Sequence, residues 1–324
     1  MYIPEYSITN QTLKHIADIE YSKAIIDEIP LLQNFENRLK NESLVERISC
    51  SLSSCGNATK KERVKAYVTG LKRTGDPLII KLIRAQQHLT TDNSTGLEET
   101  DAKEIYKLVS GNKVVAYRNR QLNGRTLPEE ILAEIVAFFD WYNSIDSMDT
   151  HPIIVAALTK ARLEQIMPFE THNFIVSNLL AYSVLTKRHY DFKGYIYLEA
   201  WFDKTKRAYE DLLYPKGAND HDFTGWIEYF TEGMASQTKT MENKTRLLGK
   251  DTKLAKVSGI ANLSERQAKV VEFLQDYGMI QNQNFSSLFP TVSEDSILRD
   301  LKKLVEMGIV VKRGKTKSSR YELG

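Results

Sequence analysis

The chain has 324 residues, a length that suits two or three packed units better than one small core. With 42% hydrophobic and 27% charged residues, and no apolar run near the roughly 18 residues of a membrane span, it is typical of a globular protein. The formal net charge of +2 favours no particular partner. Two cysteines, Cys50 and Cys55, and an N-terminus without a secretory signal predict no metal site, no membrane partner and a cytoplasmic location.

The N-terminal region, residues 1–95, has the spacing of amphipathic helices. "SKAIIDEIPLLQNFENRLK" carries apolar residues at intervals of three and four, and Pro30 within it marks a break or a helix start. "KKERVKAYVTGLKRT" repeats the pattern, with Val64, Tyr67 and Leu71 on one face. The region is therefore predicted to be helical on both sides of Pro30.

Residues 110–127, "SGNKVVAYRNRQLNGRTL", differ in character from the helical segments around them. Gly111 and Gly124 punctuate the two ends, and "KVVAYR" between them has strand propensity. The segment therefore predicts a short β-hairpin.

Helices return after the hairpin and complete a region that spans residues 96–240. "LPEEILAEIVAFFDWYNS" opens with Pro128 and two glutamates, the proline and acid bias of a first helical turn. "HPIIVAALTKARLEQI" has a helical apolar stripe, in which Lys160 and Arg162 are expected to be solvated or salt-bridged. "FIVSNLLAYSVLTKR" is apolar around most of its circumference, which predicts a central buried helix.

The end of the chain forms a separate pattern. Residues 241–262 are polar and predict either a linker or a connecting helix, and residues 263–324 predict a compact domain. "LSERQAKVVEFLQDYG" begins with the capping pair Ser264 and Gln267 and ends at Gly278. "NFSSLFP" and "SEDSILRDLKKLVEMG" add two helices, and "IVVKRGKTKSSRYEL" adds two strands around a basic turn. Three helices and a two-stranded wing predict a winged helix-turn-helix domain.

The chain resembles the Fic (Fido) family over roughly residues 1–240. The resemblance is carried by "LPEEILAEIVAFFDWYN", "HPIIVAALTKARLEQIMPF", "YEDLL" and "WIEYF", which are similar to the segments that flank the family motif HPFxDGNGRxxR. It implies a mainly α fold, with a Fic-like helical core and a small β-hairpin flap. Active members of this family transfer AMP from ATP to a protein hydroxyl.

The stretch "QIMPFETHNF" stands where the family has its catalytic motif, and most motif positions are substituted. Met167 replaces the histidine that is the general base in the family, and a thioether accepts no proton at neutral pH. Thr171 replaces the acid that holds Mg²⁺, and offers a neutral oxygen in place of an anionic ligand. Pro168, Phe169 and Asn173 are retained.

The phosphate-binding positions of the motif are also changed. His172 and Phe174 stand at the two glycines whose backbone N–H groups approach phosphate, and Ile175 and Asn178 stand at the two phosphate-clamping arginines. The resemblance therefore implies a degenerate site that transfers no AMP and needs no cofactor. The alternative is an active adenylyltransferase, or a related nucleotidyl or phosphoryl transferase, that uses ATP and Mg²⁺ with His172 or Glu170 as a displaced base.

A second family segment has changed in parallel. Many relatives carry an inhibitory helix whose glutamate pairs with the second motif arginine. The matching stretch "SLSSCGN" begins at Ser51 and keeps Gly56, but Cys55 stands where the glutamate should be. Because a buried charge without a partner is costly, the loss of both members of the pair is physically consistent. The inhibitory segment is therefore interpreted as degenerate.

The predicted hairpin corresponds to the family flap, which pairs with the target protein by strand addition. The docking candidates are Val114, Val115, Tyr117 and Arg118. Either this edge still binds a protein partner or it is an ordinary surface hairpin. Relatives often dimerise, so a homodimer is a further possibility.

The C-terminal domain predicts DNA binding, with the helix from Ser293 in the major groove and the basic wing on backbone phosphates. The candidate contacts are Ser293, Ser296, Arg299, Lys303, Lys312, Arg313, Lys315, Lys317 and Arg320. Glu294 and Asp295 argue against this, because carboxylates at the helix start repel phosphate; the alternative is a protein-interaction module. The predicted function is a DNA-binding or protein-binding regulator.

Overall fold

The computed structural model of the protein describes residues 2–54, 56–91, 96–214, 222–257, 263–314 and 319–323. The described chain is mainly helical, as the sequence predicts, and Pro30 lies between the first two helices. In chain order the helices are α1 Asn10–Glu28, α2 Gln33–Ser54, α3 Lys61–Val68, α4 Pro77–Thr91, α5 Glu99–Ser110, α6 Ile131–Tyr142, α7 Ile145–Asp149, α8 Pro152–Ile166, α9 Asn173–Lys187, α10 Glu199–Lys204, α11 Lys206–Leu213, α12 Thr224–Val257, α13 Glu265–Tyr277, α14 Asn282–Leu288 and α15 Glu294–Glu306.

Helices α8 and α9 form the centre of the main hydrophobic core. They pack against each other; most residues of both are buried, and none of the others is fully exposed. The prediction of a central buried helix is therefore confirmed. Since neither helix has a wide solvent face, polar side chains within the two must find partners inside the protein or remain without them.

Helix α12 joins the core to the C-terminal part of the chain. It packs along α1, where Ser22 donates a hydrogen bond to a carboxylate oxygen of Glu242 (3.0 Å). Met241 and Leu248 are buried, so the helix continues past residue 240 with its apolar face covered. The boundary predicted at residue 240 falls inside this helix. Of the two interpretations of residues 241–262, a connecting helix holds as far as Val257, and residues 258–262 lie outside the described chain.

The hairpin strands predicted for residues 110–127 do not form. Helix α5 continues to Ser110, and residues 112–127, all of which are described, contain no strand. The physical reason is that the segment bonds to a neighbouring loop instead of to itself. The backbone N–H of Arg118 donates to the carbonyl of Pro168 (2.9 Å), and that of Asn119 donates to the Glu170 carboxylate (3.2 Å).

The C-terminal unit has its own core and a small antiparallel sheet. Its strands are β1 Met279–Ile280, β2 Val310–Arg313 and β3 Arg320–Leu323, in the order β1, β3, β2. The capping box of Ser264 with Gln267 and the left-handed Gly278 at the end of α13 are as predicted, whereas β1 was not predicted. The buried core residues of this unit are Val270, Val271, Phe273, Leu274, Ile280, Phe285, Leu288, Phe289, Ile297, Leu301, Leu304, Val310 and Tyr321.

The C-terminal unit rests on the helical core through α13, which packs on α2. Lys65 of α3 forms an ion pair with Asp276 (3.1 Å), and the hydroxyls of Thr69 and Tyr277 share a hydrogen bond (2.7 Å). Helix α15 packs on α13, α14 and β2 of its own unit. The face of α15 that carries Arg299 and Lys303 is therefore left exposed.

Candidate functional site

The loop between α8 and α9 is closed by its own side chains. Helix α8 ends at Met167 in the left-handed conformation (φ 45°), and α9 begins after His172, which is also left-handed (φ 62°). Between them, the Asn173 amide accepts a hydrogen bond from the Phe169 N–H (2.9 Å) and donates one to the Phe169 carbonyl (2.6 Å). Asn173 therefore fixes the loop in a tight turn.

Phe169 anchors the same loop in the core. Its ring stacks on Tyr106 of α5, with ring centroids 4.1 Å apart, and lies 5.8 Å from the ring of Tyr117. The retained motif residues Phe169 and Asn173 thus hold the shape of the loop. Neither of them supplies a group that would perform chemistry.

Arg118 fastens residues 112–127 to the end of α8. Its side chain is buried and donates to four backbone carbonyls, those of Met167 (2.7 Å), Arg120 (2.8 Å), Ile166 (3.1 Å) and Thr126. Helix ends leave carbonyls without partners, and the guanidinium satisfies two of them here. Four of its five N–H groups, spread over all three guanidinium nitrogens, are thus engaged inside the protein, and a docking role for this residue stays a prediction.

The other predicted docking residues are placed differently. Val114 is 83% exposed, Val115 is half-buried, and the Tyr117 hydroxyl donates to Glu99 (2.7 Å). Since the backbone N–H groups of Arg118 and Asn119 already bond to the motif loop, only the part of the segment around Val114 is free of that loop.

A buried ion pair lies beside the motif loop, inside α8. Lys160 and Glu164 are one turn apart with Nζ and Oε1 at 3.4 Å, and their side chains are 1% and 3% exposed. Ser177 of α9 accepts from Lys160 (3.2 Å) and donates to Glu164, whose second oxygen accepts from the Tyr214 hydroxyl (2.7 Å). Lys160 is salt-bridged as expected, and its complete burial was not foreseen.

Three aromatic rings enclose the Lys160 ammonium. The centroids of Phe174, Phe202 and Tyr209 lie 4.5, 5.0 and 5.1 Å from Nζ, a geometry that stabilises a cation away from water. Burial lowers the pKa of Lys160, against the opposing charge of Glu164. Burial acts to raise the pKa of Glu164, but the Lys160 charge and the hydroxyls around it together hold that pKa below its ordinary value.

The two positions of the family arginines are both interior. Ile175 is fully buried in the core, and Asn178 is buried with neither amide atom bonded to a protein partner. Asn178 adjoins a cavity of about 30 Å³ that Arg47, Lys160 and Glu199 also line. A water needs roughly 10–15 Å³ by this measure, so about two or three waters fit beside Asn178.

Thr171 and His172 form the outer edge of the loop. The Thr171 hydroxyl and His172 Nδ1 share a hydrogen bond (2.7 Å). Burial is the larger cause, and the positive charge of Lys81 the smaller cause, that lower the pKa of His172 below its ordinary value. His172 is therefore neutral near pH 7. Met167 stands at the base position of the family motif, and its sulfur accepts a hydrogen bond from Arg125 Nε (3.0 Å). Arg125 was not singled out by any pattern in the sequence.

Two of the substituted motif positions are engaged within the protein. The Thr171 hydroxyl bonds to His172, and the ring of Phe174, at the start of α9, lies over the ammonium of Lys160 in α8. Within the described ranges, no group of three or more His, Cys, Asp and Glu side chains is arranged to hold a metal ion.

The segment matched to the inhibitory helix is the end of α2. Gly56 is left-handed (φ 73°), its N–H donates to the Ser53 carbonyl (3.0 Å), and the Asn57 N–H donates to the Leu52 carbonyl (2.9 Å). This pair of bonds is the Schellman arrangement of a helix C-terminus, in which a glycine is favoured at the left-handed position. Ser51 is buried, and Cys55 lies outside the described residues.

The predicted DNA contacts lie on the exposed side of the C-terminal unit. Ser293 and Ser296 share a hydrogen bond (3.0 Å) at the start of α15. Arg313 and Arg320 both approach Glu322 of the sheet, at 3.9 and 2.7 Å. Arg299, Lys303 and Lys312 are exposed as well, whereas Lys315 and Lys317 lie outside the described chain.

Among the described residues, no helix has both the length and the apolar character that crossing a bilayer requires.

Solved structures similar to this chain are Fic proteins. A Fic family protein from Desulfovibrio desulfuricans G20 is 18% identical with a TM-score of 0.63, over 100% of this chain and 98% of that one. A Fic-domain-containing signalling protein from Bacteroides thetaiotaomicron VPI-5482 is 20% identical with a TM-score of 0.53, over 75% of this chain and 98% of that one. Fic-1 from C. elegans is 16% identical with a TM-score of 0.58, over 74% of each chain.

At these identities the likeness establishes the fold, which is the one that Fic proteins have. By sequence, no family model and no curated protein matches the chain.

Proposed function

We propose, with the Fic fold as the premise, that this chain has lost AMP transfer and acts as a DNA-binding regulator through a C-terminal winged helix. The order of elements in the C-terminal unit, helix, strand, helix, helix, strand, strand, supports the winged-helix interpretation. The structural match to the Desulfovibrio desulfuricans protein extends over the whole chain, so the unit belongs to the architecture that the two proteins share.

The loss of AMP transfer is supported by what now occupies the motif. A transferase of this fold would need a base, a metal ligand and two phosphate-binding cations. Here Met167 and Thr171 are engaged by Arg125 and His172, and the positions of the two cations are the interior residues Ile175 and Asn178. Four requirements are missing together, so one displaced side chain would not restore the reaction.

The DNA-binding proposal depends on one observation: α13 docks on the core, and this leaves polar faces of α15, β2 and β3 exposed together. That surface presents Arg299 and Lys303 on the helix and Lys312, Arg313 and Arg320 on the sheet. Glu322 neutralises one of the sheet charges. The remaining positive charge suits the phosphate backbone, which supplies much of protein–DNA affinity.

The test is fluorescence anisotropy with labelled random-sequence duplexes over a series of salt concentrations. The natural chain should bind more weakly as salt rises, because counterions are released from the DNA. The triple variant Lys312→Ala, Arg313→Ala, Arg320→Ala should weaken binding and reduce the slope of log K against log salt by about 2, roughly one for each of the two charges that Glu322 leaves unpaired.

A matched control removes charge elsewhere. Lys206 and Arg207 of α11 have side chains 73% and 96% exposed, and their replacement by alanine should leave the salt slope unchanged. If the control and the wing variant have the same slope, or if the natural chain does not raise the anisotropy of the labelled duplex at low salt, the DNA proposal is wrong. The protein-interaction alternative would then gain support.

A second candidate function, transfer by a displaced base, rests on His172. Its imidazole is only partly buried and its lowered pKa keeps it neutral, as a general base must be. Calorimetric titration with ATP and ADP, with and without Mg²⁺, tests this candidate. We expect no binding heat, and micromolar affinity together with labelling of the protein by ATP would establish a live site and overturn the proposed loss of activity.

A further inference from the structure

Glu272 occupies an unusual place in the contact between the C-terminal unit and the helical core. It belongs to α13, the helix that packs on α2, and it is 9% exposed. Its Oε1 is buried and has no hydrogen-bond partner in the protein. A buried carboxylate oxygen without a partner is costly while the group is charged, and much less so once it carries a proton.

The charged groups around Glu272 do not neutralise the negative charge of its carboxylate. On its own helix, Asp276 lies one turn away and brings a like charge, although Asp276 is itself paired with Lys65 of α3. On α2, Asn37 donates a hydrogen bond to Glu272, and the charge of Arg38 is shared with Glu42 (3.9 Å). Helix α2 therefore offers mainly an amide to this carboxyl group.

The other cations near α13 are partly engaged. Lys269 Nζ lies 5.3 Å from the centroid of the Phe289 ring, and Arg266 pairs with Asp300 of α15. A cleft between the two units is lined by Glu272, by Lys40 of α2 and by Glu265 of α13. Burial, followed by the charge of Asp276, raises the pKa of Glu272 to about 7, and the cations offset only part of this.

We infer that Glu272 is a proton-controlled joint, whose neutral carboxyl group lets α13 dock on α2 and whose ionised form loosens the C-terminal unit from the core. The geometry on which this rests is the buried, unpartnered oxygen at the contact between α13 and α2. The inference concerns the position of the C-terminal unit and does not require that the unit bind DNA.

The direction with pH follows from the two pKa values of Glu272. In the undocked unit the carboxyl is solvated and titrates near its ordinary value of 4.5, and in the docked unit it titrates at about 7. Below both values the group is neutral in either state, and docking is strongest. Docking weakens as pH rises between the two values and is constant above them. The largest change in the docking equilibrium is roughly 300-fold, the antilogarithm of the difference of 2.5 between the pKa values.

The experiment is hydrogen exchange of the full chain from about pH 5.5 to about pH 8.5. This range lies on both sides of the pKa of Glu272 in the docked unit, about 7, and the intrinsic exchange rates are corrected for pH. Amides of α13 and of the first half of α2 should lose protection at least tenfold in the natural protein as pH rises. In Glu272→Gln, a neutral side chain of the same shape, they should stay protected throughout. Glu265→Gln, at an exposed position on the same helix, should behave like the natural protein.

A second measurement does not depend on any variant. The carboxyl carbon of Glu272, followed by NMR, should titrate near pH 7, whereas a value near 4.5 would overturn the inference. Protection that does not change with pH in the natural chain, or that changes equally in Glu272→Gln, would also overturn it. Binding of DNA at either pH leaves these readouts unaffected, so failure of this inference and failure of the proposed function are distinguishable.

Discussion

Lys160 and Glu164 form an ion pair that the fold keeps almost completely from water. Removal of one partner from such a pair leaves the other uncompensated, at a cost of about 3–5 kcal/mol. We expect Lys160→Met to lower the free energy of unfolding by about that amount, measured by urea denaturation.

The matched double variant separates charge from packing at this pair. Glu164→Gln, added to Lys160→Met, removes the isolated charge. Its amide oxygen can accept from one of the two hydroxyls, of Ser177 and Tyr214, that donate to the two carboxylate oxygens, and its amide N–H can donate to the other hydroxyl oxygen. Most of the lost stability should return. Equal losses in the single and the double variant would show that the aromatic enclosure, rather than the charge, determines the cost.

Arg118 gives a second residue-level prediction. Its planar guanidinium reaches four carbonyls at once, which the point charge of a lysine cannot do. Arg118→Lys should lower the free energy of unfolding by about 1–3 kcal/mol, because buried carbonyls lose their donors. Amide exchange in residues 112–127 should become faster. Arg120→Lys, with a side chain 67% exposed, is the control and should change neither quantity.

The sequence could predict which motif residues are substituted, but not what replaces their interactions. The replacement of the motif base or of a motif arginine can be seen at a single position of the sequence. The partners of Arg118 at Ile166 and Met167 lie almost fifty residues away, and the rings around Lys160 come from α9, α10 and α11. Such contacts depend on tertiary packing, which local periodicity does not report.

At the level of elements, helix boundaries with a capping residue were predictable and the hairpin was not. Ser264 and Gly278 bound α13 as their local chemistry requires. The segment "KVVAYR" has strand propensity, but a strand needs a partner, and the neighbouring motif loop takes the N–H groups of Arg118 and Asn119. Tertiary bonds thus overrode the local preference.

The end of α2 allows a test of Gly56 as a structural element. A Cβ at this position would contact nothing within 4 Å, so the cost of Gly56→Ala should come from the left-handed backbone alone, about 1–2 kcal/mol. Gly56→Asn should cost less, because asparagine tolerates this conformation. Thermal unfolding of both variants measures the difference. Equal costs would indicate that the residue acts through some other interaction.

At the scale of the whole molecule, the buried apolar residues of the described ranges form two separate hydrophobic cores. The larger one extends from α1 to α12, and the smaller one lies in the C-terminal unit. A unit of about 60 residues is only marginally stable by itself, so contacts with a neighbouring core contribute a large share of its stability. The contacts of Lys65 and Thr69 with α13 are of this kind.

We therefore expect two transitions in calorimetry, of which only the C-terminal one depends on the contact between the units. The double variant Lys65→Ala, Tyr277→Phe removes the ion pair to Asp276 and the hydrogen bond to Thr69 but keeps the aromatic ring on Phe273. The Tm of the C-terminal transition should fall by about 4–8 °C for each kcal/mol of stability lost, and the Tm of the core transition should not change. Lys302→Ala, at an exposed position on α15, should move neither transition. If both transitions moved together, the two cores would unfold as one cooperative unit, and Glu272 would then act on the stability of the entire chain instead of on the position of one part.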